Sequence, residues 1–122
     1  MSKCILVVDD EQDVRALIQL GLEMQAGWKV INASSGEEAI SIATSEQPDV
    51  ILLDLMMPDM DGRTTLQRLK NNPQTQKIPV ILMTAKGKYS VEESFANLDL
   101  AAIFTKPLRP LNLAREISEV LD

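Results

Sequence analysis

Val50-Ile51-Leu52-Leu53-Asp54 is the stretch on which the fold turns. Four branched apolar residues follow one another with no polar residue at alternate places. Such a run is a strand buried on both faces, the kind found in parallel sheets with helices packed on either side. Gln47-Pro48-Asp49 breaks the chain just before it, and the run stops on a carboxylate. Toward the N-terminus, Ser35-Gly36-Glu37-Glu38 has the form of a capping box, and the helix it opens carries Ala39, Ile40 and Ala43 on its inner face. Residues 29–32 form a short run that is polar at both ends, as an edge strand would be. Before that, Val14, Leu17, Ile18, Gly21 and Leu22 recur three and four apart, the period of one helix face. Residues 4–8 supply the first strand.

Toward the C-terminus the alternation continues. A loop over residues 55–62 leads to a helix with Leu66 and Leu69 inward, which Asn71-Asn72-Pro73 terminates. Residues 78–83 predict a fourth strand, with Pro79 tolerable near its start. Ser90 and Glu93 form a second capping box, for a helix whose inner face is Val91, Phe95 and Leu98. Residues 101–104 are a weaker fifth strand. Pro110 suits the first turn of a last helix with Leu113, Ile117, Val120 and Leu121 on its face. The pattern is strand then helix, five times over, and predicts an α/β fold of the (βα)5 doubly wound type around a five-stranded parallel sheet.

Composition narrows the function. A chain of 122 residues with 45% apolar content makes one domain, 1–122, and leaves no room in that length for a linker and an output domain. The net charge of −6, from 18 acids and 12 bases, has the wrong sign for binding nucleic-acid phosphates or an anionic membrane. Aromatic residues, at 3%, are too few for base-stacking platforms. With no histidine, the chain has no Ser-His or Cys-His relay, no imidazole zinc site and no phosphohistidine of its own. The single Cys4 cannot form an internal disulfide and is expected to be a small buried residue. The apolar run after Met1-Ser2-Lys3 is too short for a signal peptide or a membrane span, so a reducing cytoplasm is the expected setting.

In an open parallel sheet, ligands meet the residues that follow the strands. Those residues here are Asp9 and Asp10 after the first strand, Asp54 after the third, Thr84 after the fourth and Lys106 after the fifth. Three carboxylates in one crevice repel one another unless a cation sits among them. Oxygen donors alone suit Mg2+, which keeps waters and takes further oxygens from a phosphate. Thr84 and Lys106 would hold phosphoryl oxygens, and in-line positioning with charge stabilisation is most of what phosphoryl transfer needs. Asp54, ending the most buried strand, is the candidate nucleophile, with Asp9 and Asp10 holding the metal. Taken singly, these residues have plainer readings. Asp10 would suit helix capping, and Thr84 and Lys106 would suit ordinary loops.

Val7-Val8-Asp9-Asp10, Leu52 through Gly62 (LLDLMMPDMDG), Met83-Thr84-Ala85 and Lys106-Pro107 together resemble the receiver domains of two-component response regulators, from about Lys3 to the end of the chain. The resemblance implies the flavodoxin-like strand order 2-1-3-4-5. It implies that Asp54 accepts a phosphoryl group from the phosphohistidine of a partner histidine kinase or phosphotransfer protein docking near the first helix. It implies that Asp10 and Asp54 ligate Mg2+ (or Mn2+) directly, with the backbone carbonyl of Met56 as a third ligand, and that Asp9 acts mostly through water. Thr84 resembles the switch hydroxyl, small Ala85 the residue that leaves the phosphate accessible, and Lys106 the lysine that contacts it. Met56 and Lys86 stand where phosphoryl lifetime is tuned, and the Lys106-Pro107 bond is usually cis in such proteins.

Three positions depart from the family pattern. Ile103 stands at the switch position where Tyr or Phe is frequent, with the aromatic at Phe104 instead. Asp99-Leu100 replaces a common Gly-Ala. Arg109 occupies the place of a Ser or Thr cap on the last helix. All three fall around the fourth helix, fifth strand and fifth helix, where a downstream protein target is expected to dock. Apart from phosphorylation and dephosphorylation of Asp54 itself, no enzymatic turnover is expected. An aspartyl phosphatase of the haloacid-dehalogenase type wants Asp-x-Asp after the first strand, whereas this chain has Asp9-Asp10-Glu11. A flavodoxin wants a Ser/Thr/Gly phosphate loop there, where an acidic pair would repel the cofactor. A phosphorylation-independent adaptor of the same fold is the remaining alternative, favoured only by Ile103.

Overall fold

Side chains of a strand alternate between two faces, so each strand of a doubly wound sheet feeds two separate cores. That division is clear in the computed structural model, which describes residues 3–55, 62–85 and 100–121. The strands are β1 (Cys4–Val8), β2 (Lys29–Ala33), β3 (Val50–Asp54), β4 (Val80–Ala85) and β5 (Ala102–Lys106). The helices are α1 (Gln12–Ala26), α2 (Gly36–Glu46), α3 (Gly62–Asn71) and a final helix, α4 (Pro110–Leu121). The helix expected from Ser90 to Leu98 lies outside the described residues.

All strand pairings are parallel, in the order β2-β1-β3-β4-β5. On one face Leu6, Val8, Ile51, Leu53, Val80 and Leu82 pack against Ala39 and Ala43 of α2 and Leu66 and Leu69 of α3. On the other, Ile5, Val7, Val50, Leu52, Ile81 and Met83 meet Ile18 and Leu22 of α1 and Leu113 and Ile117 of α4. Every residue of β3 is buried, Asp54 included, as its uninterrupted apolar run predicts. Among the described residues no helix is long and apolar enough to cross a membrane.

Local signals act much as expected. The Ser35 side chain accepts a hydrogen bond from the Glu38 N–H at 3.2 Å, and Glu38 Oε1 reaches back to the Ser34 N–H at 2.6 Å, one residue beyond the usual capping-box partner. Gln47 ends α2 in a left-handed conformation (φ 49°), held by its amide bonds to the carbonyls of Ala43, Thr44 and Gln74. Trp28 is buried in the α1/α4 core with Lys3 over its ring at 6.0 Å. Cys4 is half-buried rather than buried. Burial pushes its thiol pKa up, with Lys29 pulling it down and Asp49 and Glu46 adding to the rise.

Two glycines set distances that matter to the site. A Cβ on Gly62 would lie 2.6 Å from Leu55 Cα and 2.7 Å from the Asp54 carbonyl oxygen, so α3 starts almost against the end of β3. A Cβ on Gly21 would lie 2.4 Å from the Pro110 carbonyl oxygen, so α1 and the start of α4 touch backbone to backbone. Strand ends differ from the sequence reading. β2 extends to Ala33, β4 runs from Val80 to Ala85, and β5 from Ala102 to Lys106. Thr84 and Lys106 therefore lie within strands rather than after them. The ladder continues through Thr84↔Thr105 and Ala85↔Lys106 because parallel pairing is made by the backbone and is indifferent to the polar side chains that end the apolar runs.

Candidate functional site

Strand register brings the chemistry together. β1 and β3 are neighbours, paired at Val8↔Leu53, so the next residues on each, Asp9 and Asp54, emerge side by side. β4 follows beyond β3 and β5 beyond β4, so Lys106 begins two strands from Asp54 and reaches back on its long stem. Alternation puts all three on the α1/α4 side, one place beyond Val8, Leu53 and Thr105.

The result is a buried ionic knot. Asp9 is fully buried and Asp54 is 4% exposed. Lys106 Nζ lies 2.8 Å from Asp9 Oδ2 and 3.4 Å from Asp54 Oδ1. Burial pushes the Lys106 pKa down, but the hydrogen bond to Asp9 and the charges of Asp54 and Asp9 outweigh it and raise the pKa above its ordinary value. Asp10 is exposed, and its carboxylate accepts no hydrogen bond among the described residues. One carboxylate oxygen from each of Asp9, Asp10 and Asp54 lies within 4.8 Å of the others. Among the described residues the cluster sets three carboxylates beside the Lys106 ammonium and offers only hard oxygen donors. That donor set fits a divalent cation of the Mg2+ type and not a soft, sulfur-seeking metal.

The two aspartates after β1 have different surroundings. Asp9 is saturated: Oδ1 accepts from the Glu11 N–H at 2.9 Å, Oδ2 accepts from Lys106, its N–H donates to the Ala33 carbonyl at 3.1 Å, and its own carbonyl accepts from Arg15 Nη1 at 2.5 Å. Among the described residues Asp10 does not cap α1: the N-cap is Glu11, which makes no side-chain cap, and Asp9 bonds the Glu11 N–H in the turn just before the helix. Thr84 is 5% exposed, and its Oγ1 has no hydrogen-bond partner among the described residues. A buried hydroxyl left this way is a donor waiting for an acceptor. Ala85 is the last residue of β4.

Ile103 packs against the α2/α3 core, the side to which alternation also sends Thr84. Phe104 packs against the α1/α4 core. An aromatic ring moved one place along a strand is on the opposite face, so Phe104 does not substitute for an aromatic at position 103. Met56 and Lys86 lie outside the described residues, as does Asp99. The Lys106-Pro107 bond is cis. At the start of α4, the Arg109 carbonyl accepts from the Asn112 N–H at 2.9 Å. Sequence reasoning did not single out Arg15, and it did not foresee that Asp9 would hold Lys106. That bond spans 97 positions, which no local pattern reports.

The model of the response regulator receiver domain matches residues 5–118. The chain belongs to that family. The receiver domain is 38% identical over 123 residues to the alkaline phosphatase synthesis transcriptional regulatory protein PhoP of Bacillus subtilis, covering 99% of this chain and 49% of that one. It is 37% identical to the phosphate regulon transcriptional regulatory protein PhoB of Pseudomonas aeruginosa, covering 99% of this chain and 52% of that one. It thus spans about half the length of these curated relatives. The chemotaxis protein CheY4 of Vibrio cholerae superposes on the receiver domain with a TM-score of 0.89 at 25% identity, over 98% of this chain and 99% of that one.

Proposed function

We propose that this receiver domain accepts a phosphoryl group on Asp54 from a phosphohistidine of a partner kinase or phosphotransfer protein and thereby switches a docking surface for a downstream protein. The observation that carries the reading is the convergence of buried Asp54, Lys106 and the Asp9–Asp10 pair at adjacent strand ends. In the transfer, an Asp54 carboxylate oxygen attacks phosphorus in line. The P–O bond forms as the P–N bond to the partner's imidazole breaks, and the imidazole takes up a proton from solvent. Lys106 lies where it can turn from Asp54 toward the phosphoryl oxygens and offset their charge. Asp9 keeps the lysine in reach. Thr84 Oγ1, without a partner among the described residues, would donate to a phosphoryl oxygen. Asp10 and Asp54 would hold a Mg2+ (or Mn2+) ion, which when bound supplies charge neutralisation between the carboxylates and the incoming phosphate.

Docking of the phosphodonor near α1 is supported by the exposed Leu17, Leu20 and Met24 on that helix and Leu111 on α4. Leu17 also lines an apolar hollow of about 320 Å3, with Val14, Ile18, Pro107, Leu108 and Pro110, that reaches Lys106 itself. A cytoplasmic setting, and chemistry confined to Asp54 rather than turnover of an external substrate, belong to the same reading. So does a downstream target docking around β5 and α4. The test is incubation with Mg2+ and a small acyl phosphate, followed by intact mass measurement. A labile phosphoryl adduct that is absent in Asp54→Asn is expected. Steady hydrolysis of a phosphomonoester would point to a phosphatase instead, and no adduct with any donor would leave docking alone as the function.

A further inference from the structure

Asp9 and Asp10 are adjacent, yet only one of them is held. Every polar atom of Asp9 has a protein partner, whereas the carboxylate of Asp10 has none among the described residues. The place of Asp10 in the carboxylate cluster is therefore set by its backbone. A peptide unit is planar, so fixing the Asp9 carbonyl also fixes the direction of the Asp10 N–H and of the bond to its Cα. Arg15 fixes that carbonyl with a charge-assisted bond of 2.5 Å. The arginine stands on a rigid base in the first turn of α1, where its own N–H donates to the Glu11 carbonyl at 3.2 Å. No side-chain cap at Glu11 shares the work.

We propose that Arg15 is a positioning residue for the divalent-cation site, acting on Asp10 through the backbone of the turn between β1 and α1. The inference rests on the phosphorelay reading above, in which a cation is held at Asp10 and Asp54. Its sign sets it apart from a charge effect. A positive side chain close to a cation site weakens cation binding by repulsion, so removing the charge alone would tighten binding. Removing a support of the ligand geometry weakens it.

The measurement is titration of Mn2+ into the purified chain, followed by the resonance of free Mn2+ and by calorimetry. Arg15→Met is expected to weaken Mn2+ binding about tenfold, the scale of losing an outer-shell partner of a metal ligand. Arg15→Lys, which keeps the charge and a donor without the guanidinium fork, is expected to fall between Arg15→Met and the parent. In an Asp10→Asn background, Arg15→Met is expected to cause no further loss, because the residue it acts through is already impaired. Thermal unfolding of each variant checks that the fold is kept, and Arg15→Gln replaces Arg15→Met should that variant unfold. Equal or tighter binding by Arg15→Met overturns the inference, as does an undiminished loss in the Asp10→Asn background. If the parent binds Mn2+ and forms the Asp54 adduct while the Arg15 variants bind as it does, only this inference fails. A parent that binds no Mn2+ removes the cation from the proposed function as well.

Discussion

One aspartate precedes strand β3 and another ends it, and their fates differ. Asp49, just before the strand, is exposed. Its Oδ2 accepts from the Cys4 N–H at 2.6 Å while its own N–H donates to the Cys4 carbonyl at 2.8 Å, pinning the start of β1 to that of β3. Asp54, five places on, is buried beside a lysine and two further carboxylates. One carboxylate finishes a backbone connection and the other belongs to a cluster of three carboxylates beside a lysine. The comparison shows that residue type does not make a site. The carboxyl ends of the strands do, because there the loops open away from the sheet and polar side chains from several strands converge.

The largest expected contrast is chemical. Asp54→Asn should abolish the phosphoryl adduct formed with an acyl phosphate, while Asp49→Asn should form it at the parent's rate, both read by intact mass. Equal loss in both would erase the distinction between the two ends. Next in size is Lys106→Met, which leaves Asp9 and Asp54 buried without their ammonium. A stability loss of about 2 kcal/mol at neutral pH is expected in urea unfolding, less than for a fully buried pair because the lysine is partly exposed. Added Mg2+ should stabilise this variant more than it stabilises the parent.

The pH dependence should be smaller. Lys106 titrates in the folded chain above the ordinary lysine value of 10.5. The stability contributed by its charge is therefore complete below the unfolded lysine pKa and is lost as pH rises through the higher folded value. Between neutral and strongly alkaline pH the parent should lose more stability than Lys106→Met does, and parallel profiles would mean that the ion pair contributes nothing. The smallest effect belongs to Asp49→Ala, about 1 kcal/mol in thermal unfolding from the loss of one backbone partner, with Mn2+ affinity unchanged.

Much of the fold was legible in the residues. The apolar run 50–53 marked the central strand, the capping residues marked the start of α2, and the order of elements matches that observed among the described residues. The ends of β4 and β5 were not legible, because backbone pairing carries on after the hydrophobic pattern stops. At the site, the residues that converge could be read off as those closing each strand, yet their individual duties could not. Asp9 and Asp10 are the same residue type at adjacent places. Only burial and partners separate a saturated anchor for Lys106 from an exposed carboxylate that accepts no hydrogen bond among the described residues. Likewise, Ile103 and Phe104 can be exchanged in a composition but not in a strand, where a single place changes the face.

By itself, then, the sequence determined the class of fold, the (βα) order and the inventory of oxygen donors, hydroxyl and lysine, since hydrophobic period and residue chemistry are local properties. Tertiary structure alone decided that Lys106 is bound to Asp9 and lies near Asp54, that the Thr84 hydroxyl has no partner among the described residues, and that Arg15 grips the turn carrying Asp10. These are contacts between strand and helix ends whose distances depend on register and on how closely the backbones pack, as at Gly21 and Gly62. No local pattern in the sequence encodes such distances, because they are set by the packing of the whole domain.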